Sequence, residues 1–116
     1  MIALYPGAYK PPHRGHFEIA SSLLNGMQGK VYSIDNYKDA GPSALNKDSD
    51  STIKVDKVVV FIGTGERNGI NQSQSEAIWK IYQKYIPKLE IVISEKNPML
   101  DARDYAANNP YEEFYA

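Results

Sequence analysis

Ile2 to Tyr5 is a short apolar run that meets Pro6-Gly7, the pattern of a buried strand ending in a turn. Lys10-Pro11-Pro12 follows, a stiff lead-in with few amide hydrogens. From Arg14 the period changes. Phe17, Ile19, Ala20, Leu23 and Leu24 recur at helical spacing, and the helix they predict stops near Asn25-Gly26, where glycine supplies a left-handed cap. Lys30 to Ile34 reads as a brief strand. Residues 35–56, rich in Asp, Lys, Ser and Asn with a Gly41-Pro42 break, predict a long, mobile polar loop over the surface. Lys57 to Ile62 is apolar at nearly every position, as in the middle of a parallel sheet. After the loop Gly63 to Gly69, Ser73 or Ser75 is expected to cap a helix whose stripe is Ala77, Ile78, Ile81, Tyr82, Tyr85 and Ile86, ended by Pro87. Leu89 to Ser94 reads as a strand, Pro98 to Asn108 as a short helix, and Pro110 to Ala116 as the entry into another strand.

Strands alternating with helices predict an α/β domain with a mostly parallel sheet and helices on both faces. Such sheets bind ligands outside the carboxyl ends of their strands, where the strand order reverses. The chain stops without a final cap or helix, which predicts a C-terminally truncated sheet. Its open edge would be free to pair with a second copy.

Composition narrows the classes. The 116 residues carry 13 basic and 14 acidic side chains for a net charge of −1, unlike a nucleic-acid-coating domain with its basic patch. No apolar run approaches the roughly 20 residues of a membrane span, and Met1 to Pro6 lacks the basic and apolar regions of a signal peptide. The absence of cysteine excludes disulfide scaffolds, Cys-ligated zinc, iron–sulfur clusters and thiol nucleophiles, and fits a reducing, cytoplasmic setting.

The segment that changes the picture is Tyr5-Pro-Gly-Ala-Tyr-Lys-Pro-Pro-His-Arg-Gly-His16. A strand leads into a glycine turn, a lysine, and two histidines three apart at a helix start. This is an anion trap: backbone amides after Gly7 and unpaired N–H groups at the helix N-terminus can face a phosphate. Gly15 leaves room for close approach. His13 and His16 lie about one turn apart and can point at one ligand, and Lys10 adds a positive charge. As a metal pair the histidines lack a recognisable third ligand.

At these residues the chain resembles the HxGH nucleotidylyltransferase superfamily, the cytidylyltransferase-like group that includes pantetheine-phosphate and nicotinamide-nucleotide adenylyltransferases. His13-Arg14-Gly15-His16 matches the HxGH signature, and Tyr5 to Pro11 resembles the group's first-strand motif. Phage-borne and environmental members favour a Phe/Tyr-Lys-Pro-Pro-His variant, which is closer still. The specific motif occupies about 12 residues of the chain. The resemblance implies a Rossmann-like fold and in-line transfer of AMP or CMP from ATP or CTP to a phosphorylated small-molecule acceptor, releasing pyrophosphate, with Mg²⁺ bound to the triphosphate.

Carried over, His13 and His16 bind the triphosphate and stabilise the transition state. Gly7, Ala8 and Tyr9 offer amides, and Lys10 sits near the α-phosphate or the acceptor phosphate. Gly15 lies beside the base or ribose, and Arg67 faces the acceptor or the phosphates. Lys10 stands where many members carry Asp or Asn. The group's second signature, an Ile-Ser-Ser-Thr-x-x-Arg run at a later helix, would lie beyond Ala116.

Other features have plainer readings. Gly63-Thr64-Gly65 lacks the Gly-Lys-Ser/Thr of a P-loop. Trp79, Tyr82 and Tyr85 read as helix packing, and Asp101, Arg103 and Asp104 as a solvated helix face. The expectation is therefore a Rossmann-like nucleotidylyltransferase domain over 1–116. The alternative is a noncatalytic nucleotide-binding module or a fragment of a larger protein. A class I synthetase-like site shares the histidine pair, but the chain is too short for that enzyme and lacks its Lys-Met-Ser-Lys-Ser loop.

Overall fold

The computed structural model describes residues 1–30, 50–110 and 112–115. In chain order the elements are β1 (Ile2–Gly7), α1 (Arg14–Asn25), β2 (Met27–Lys30), β3 (Asp50–Ile53), β4 (Lys57–Ile62), β5 (Glu66–Arg67), β6 (Ile70–Asn71), α2 (Gln72–Gln83), β7 (Leu89–Ile93), α3 (Pro98–Ala107) and β8 (Phe114–Tyr115). Four of the strands make one parallel sheet in the order β7-β4-β1-β8. With helices on both faces, this is an α/β, Rossmann-like architecture.

The apolar run of β4 is explained by its position. Val58, Val60 and Ile62 join the cluster covered by α1 and α2, and Val59 and Phe61 join the cluster covered by α3. Alternation along β1 follows the same rule, with Ala3 and Tyr5 on the first side and Ile2 and Leu4 on the second. The strand order reverses at β1, which has β4 on one side and β8 on the other. The crevice above its carboxyl end is therefore the topological switch point.

Pro6 sits within β1 without cost to the β1–β4 ladder. The Ile2 N–H donates to Glu113 O at 2.8 Å, toward β8, and residues two apart in a strand face the same neighbour. The hydrogen that Pro6 lacks would thus point to the β8 side. There the described pairing reaches only Ala3↔Tyr115.

Several elements differ from the pattern-based expectation. Within 35–56, Asp50–Ile53 is a strand paired antiparallel with Met27–Lys30, and Ile53 and Val55 are buried in the core. Residues 31–49, including most of the expected strand at 30–34 and most of the expected loop, lie outside the described residues. Helix α2 begins at Gln72 because Asn71, not a serine, caps it: the Asn71 side chain accepts from Gln74 N–H, and Gln74 accepts from Asn71 N–H. In this helix Ser75, Ile78, Trp79 and Tyr82 face inward, while Ala77, Ile81 and Tyr85 are exposed. Asp101 is not a solvated residue of α3; it accepts a hydrogen bond from the buried Ser94 hydroxyl and so ties the helix to the end of β7. Helix α1 ends where expected, at Gly26, but the glycine is not a left-handed helical cap: its φ of 102° is positive while its ψ of 129° is extended.

Trp79 is fully buried, yet among the described residues its Nε1–H has no hydrogen-bond partner. Replacing it with alanine should cost roughly 3–5 kcal/mol in urea denaturation. Trp79→Phe should cost less than half of that, because it also removes a buried donor whose desolvation is worth about 1–3 kcal/mol.

Candidate functional site

The loop between β1 and α1 gathers the expected residues. His13 is the N-cap of α1: its Nδ1 accepts from Gly15 N–H at 3.0 Å, and its own N–H donates to His16 Nδ1 at 3.0 Å. The two imidazoles thus form a capping box, a role usually filled by Ser or Thr with Glu or Gln. They lie stacked, with centroids 3.8 Å apart. Because both Nδ1 atoms accept, each neutral ring carries its proton on Nε2. Two N–H donors are therefore fixed side by side at the helix N-terminus, where the macrodipole favours an anion.

Gly15 is required locally. A Cβ there would come within 2.9 Å of His13 Cε1 and 3.1 Å of its Nδ1. The expected closeness of Gly15 to a base or ribose thus has a nearer counterpart in the His13 ring. Gly7 has a similar reason, since a Cβ would meet the Tyr9 ring at 2.9 Å. Tyr9 adopts a left-handed backbone with φ 52°, is buried, and donates its hydroxyl proton to Tyr5 O at 2.6 Å. Its ring meets His16 edge-on at 4.9 Å and Trp79 at 5.0 Å, so the histidine pair stands on an aromatic floor. Burial raises the Tyr9 phenol far above its ordinary value and keeps it neutral.

Of the three residues expected to offer amides, Gly7 does not turn its amide to the crevice. Its carbonyl accepts from Gly63 N–H at 2.9 Å, and a strand residue's N–H and C=O face the same neighbour, here β4. The amides of Ala8 and Tyr9 donate to nothing among the described residues.

Lys10 is only 8% exposed. Its ammonium donates to Ala8 O at 2.7 Å and to Gly63 O at 2.9 Å, spanning the loops after β1 and β4. Burial, and then the nearby Arg67 charge, lowers its pKa. Arg67 itself is exposed on a β-hairpin, β5–β6, whose turn is Asn68-Gly69 with φ 56° and 78°. Positive φ at both central residues is the type I′ geometry that Asn-Gly favours. The polar turn expected there is thus a defined hairpin, and the Arg67 charge that it carries acts on Lys10.

Three supporting residues were not among the expected site. Ser75 of α2 is fully buried and donates its hydroxyl proton to Tyr9 O, clamping the left-handed residue. Gln72 donates from Nε2 to Ile62 O at 2.9 Å and Ser94 O at 2.7 Å, closing the ends of β4 and β7. Asn97 caps α3 by accepting from Met99 N–H at 2.8 Å, and the Pro98 ring packs close to Gly63, where a Cβ would meet its Cγ at 3.5 Å. The Asn71-x-x-Gln74 pattern could have revealed the first two, since it sets where α2 begins.

No family model matches the chain, and no curated protein or solved structure matches it. The site is therefore read from its own geometry. Among the described residues no helix is long and apolar enough to cross a membrane, and no cluster of three His, Cys, Asp or Glu could hold a metal.

The histidine cap makes stability depend on pH. Burial, then the His13 charge, holds the His16 pKa below the ordinary imidazole value. Above about pH 6.5 the folded and unfolded chains are both neutral at this position and the cap is intact. As pH falls below that value, the unfolded chain takes up a proton that folded His16 resists, so stability declines until His16 itself protonates. An imidazolium cannot accept at Nδ1, and losing a cap costs about 1 kcal/mol. Thermal unfolding from pH 7.5 to 5 should show this decline, and His16→Gln should flatten it.

Ser75→Ala should lower the unfolding midpoint by the equivalent of about 1–3 kcal/mol, since it leaves Tyr9 O without this donor. Ser75→Thr, which keeps the hydroxyl, should recover part of that loss.

Proposed function

We propose that the β1–α1 loop binds the phosphates of a nucleoside triphosphate, and that the chain transfers AMP or CMP from ATP or CTP to a phosphorylated small-molecule acceptor. The observation that carries this reading is the pair of His13 and His16 Nε2–H donors, fixed by mutual capping above the carboxyl end of β1. Such transfer asks little covalent chemistry of a protein. An acceptor phosphate oxygen attacks the α-phosphorus, the bond to the bridging oxygen breaks, and pyrophosphate leaves with that electron pair. The protein must align the groups and place donors where negative charge grows. His13 and His16 are assigned that role, the Ala8 and Tyr9 amides a share of the phosphate contacts, and Arg67 a place facing the acceptor or the phosphates. A reducing cytoplasmic setting accords with this activity.

Magnesium takes oxygen ligands, and the described site offers no carboxylate cluster, while both Nδ1 atoms are committed to the cap. Mg²⁺ would therefore ride on the triphosphate, where it draws charge from the phosphate oxygens, and would not be held by protein ligands.

The test separates donor from cap. Asn71 and Gln74 show that an Asn-x-x-Gln box starts a helix in this same chain, so His13→Asn with His16→Gln should fold. ATP or CTP with Mg²⁺ should raise the wild-type melting temperature, by the equivalent of about 2.7 kcal/mol at 100 times Kd. The double variant should lose most of that response, and each single variant should slow pyrophosphate release by about 10²–10³. A melting shift without pyrophosphate release from any phosphorylated acceptor would favour a noncatalytic nucleotide-binding module. No shift with any nucleotide would reject the phosphate site.

A further inference from the structure

We propose that Lys10 is a built-in counter-cation of the polyphosphate site, so that this chain binds a triphosphate without needing a divalent metal. The inference deepens the phosphate-site reading above and rests on it.

The argument begins with a comparison inside the molecule. At the end of β4 and β7, Gln72 bridges two carbonyls, Ile62 O and Ser94 O, with a neutral amide. At the end of β1 and β4, Lys10 bridges two carbonyls in the same manner, Ala8 O and Gly63 O, but with a full positive charge. A brace alone needs only the neutral group. Burying a cation costs far more than burying an amide unless an anion compensates it.

No such anion is supplied by the described chain. Its ion pairs are Met1–Asp56, Arg14–Glu18, Lys57–Glu90 and Lys80–Glu76, and none includes Lys10. The like charge of Arg67 disfavours the Lys10 ammonium and so adds to the positive potential there. An ammonium has three N–H groups, and the two carbonyls occupy two of them. Among the described residues nothing accepts from the third, which is left for a ligand.

The position matches the need. Lys10 lies in the loop between β1 and the histidine pair, next to Ala8 and Tyr9, whose amides have no acceptor among the described residues. A triphosphate held there would complete the charge balance that the folded chain leaves open. The positive charge that the chain itself brings to this loop is the Lys10 ammonium, held in place by the two carbonyls.

The experiment is an isothermal titration of the full chain with ATP, CTP and inorganic tripolyphosphate, each in Mg²⁺ and in excess EDTA. Wild-type Kd should change by less than about threefold on chelation. Lys10→Gln, which can keep the brace as Gln72 does, should fold and should lose about tenfold or more in EDTA, the scale of one charge-assisted hydrogen bond. Lys10→Arg, which keeps the charge, should retain metal-free binding. Wild-type binding that disappears in EDTA would overturn the inference and leave the phosphate site standing, and so would metal-free binding by Lys10→Gln equal to wild type. Absence of binding in both buffers would reject the phosphate-site reading itself, and the inference with it. The chelation arm needs no variant, so a folding defect in Lys10→Gln would not shelter the claim.

Discussion

The register between β1 and β4 is the constraint on which the site depends. Six consecutive pairs, from Ile2↔Lys57 to Gly7↔Ile62, lock the two strands in parallel and end them at the same height. Only then can Gly63 N–H reach Gly7 O, and only then do the loops that follow meet closely enough for Lys10 to span them. A slip of one residue would turn every apolar side chain of β4 to the opposite face. Both faces of that strand are buried, but against different partners: Ile62 packs in the cluster with Trp79, and Phe61 packs against Tyr105 under α3. The unequal shapes of the two clusters oppose such a slip.

Around that register, buried polar groups do the joining that apolar contact cannot. Gln72, Ser75, Ser94 and Asp101 each connect an α-helix to a strand end or to the loop after it. Hydrophobic packing is non-directional and sets which faces meet. Hydrogen bonds with fixed geometry set how high and at what angle the helices stand. The carboxyl ends of the strands are where such precision matters, because backbone groups there leave the ladder and need other partners.

Much of this was legible in the chain itself, and the limits have physical causes. The uninterrupted run Val58–Ile62 could only belong to a strand buried on both faces, and the spacing from Phe17 to Leu24 with Gly26 marked α1 and its end. The motif Tyr5 to His16 revealed which residues would gather, since a strand, a turn and a helix start within 12 residues leave few ways to arrange them. By contrast, β2 and β3 pair across a long separation with polar residues, so no local period signals them. The start of α2 was obscured by two serines that resemble caps, while the true signal was the Asn71–Gln74 reciprocity. The burial of Lys10 could not be read at all. It depends on Gly63, which is 53 residues away.

The histidine pair shows why a site of this kind can be rigid before any ligand arrives. A donor is most useful when its orientation is already fixed, because a transition state is too brief to order it. Most helix N-termini leave their capping side chains and their ligand-binding groups as separate residues. Here one nitrogen of each imidazole caps the helix while the other faces outward, so the same bond that stabilises the first turn aims the donor. The stacking of the rings and the aromatic floor of Tyr9 and Trp79 remove the remaining rotational freedom. The arrangement also carries a cost that follows from the same bonds. Protonating Nδ1 removes the cap and misdirects the donor together, so the stability of α1 and the orientation of the proposed phosphate-binding groups rise and fall with one proton.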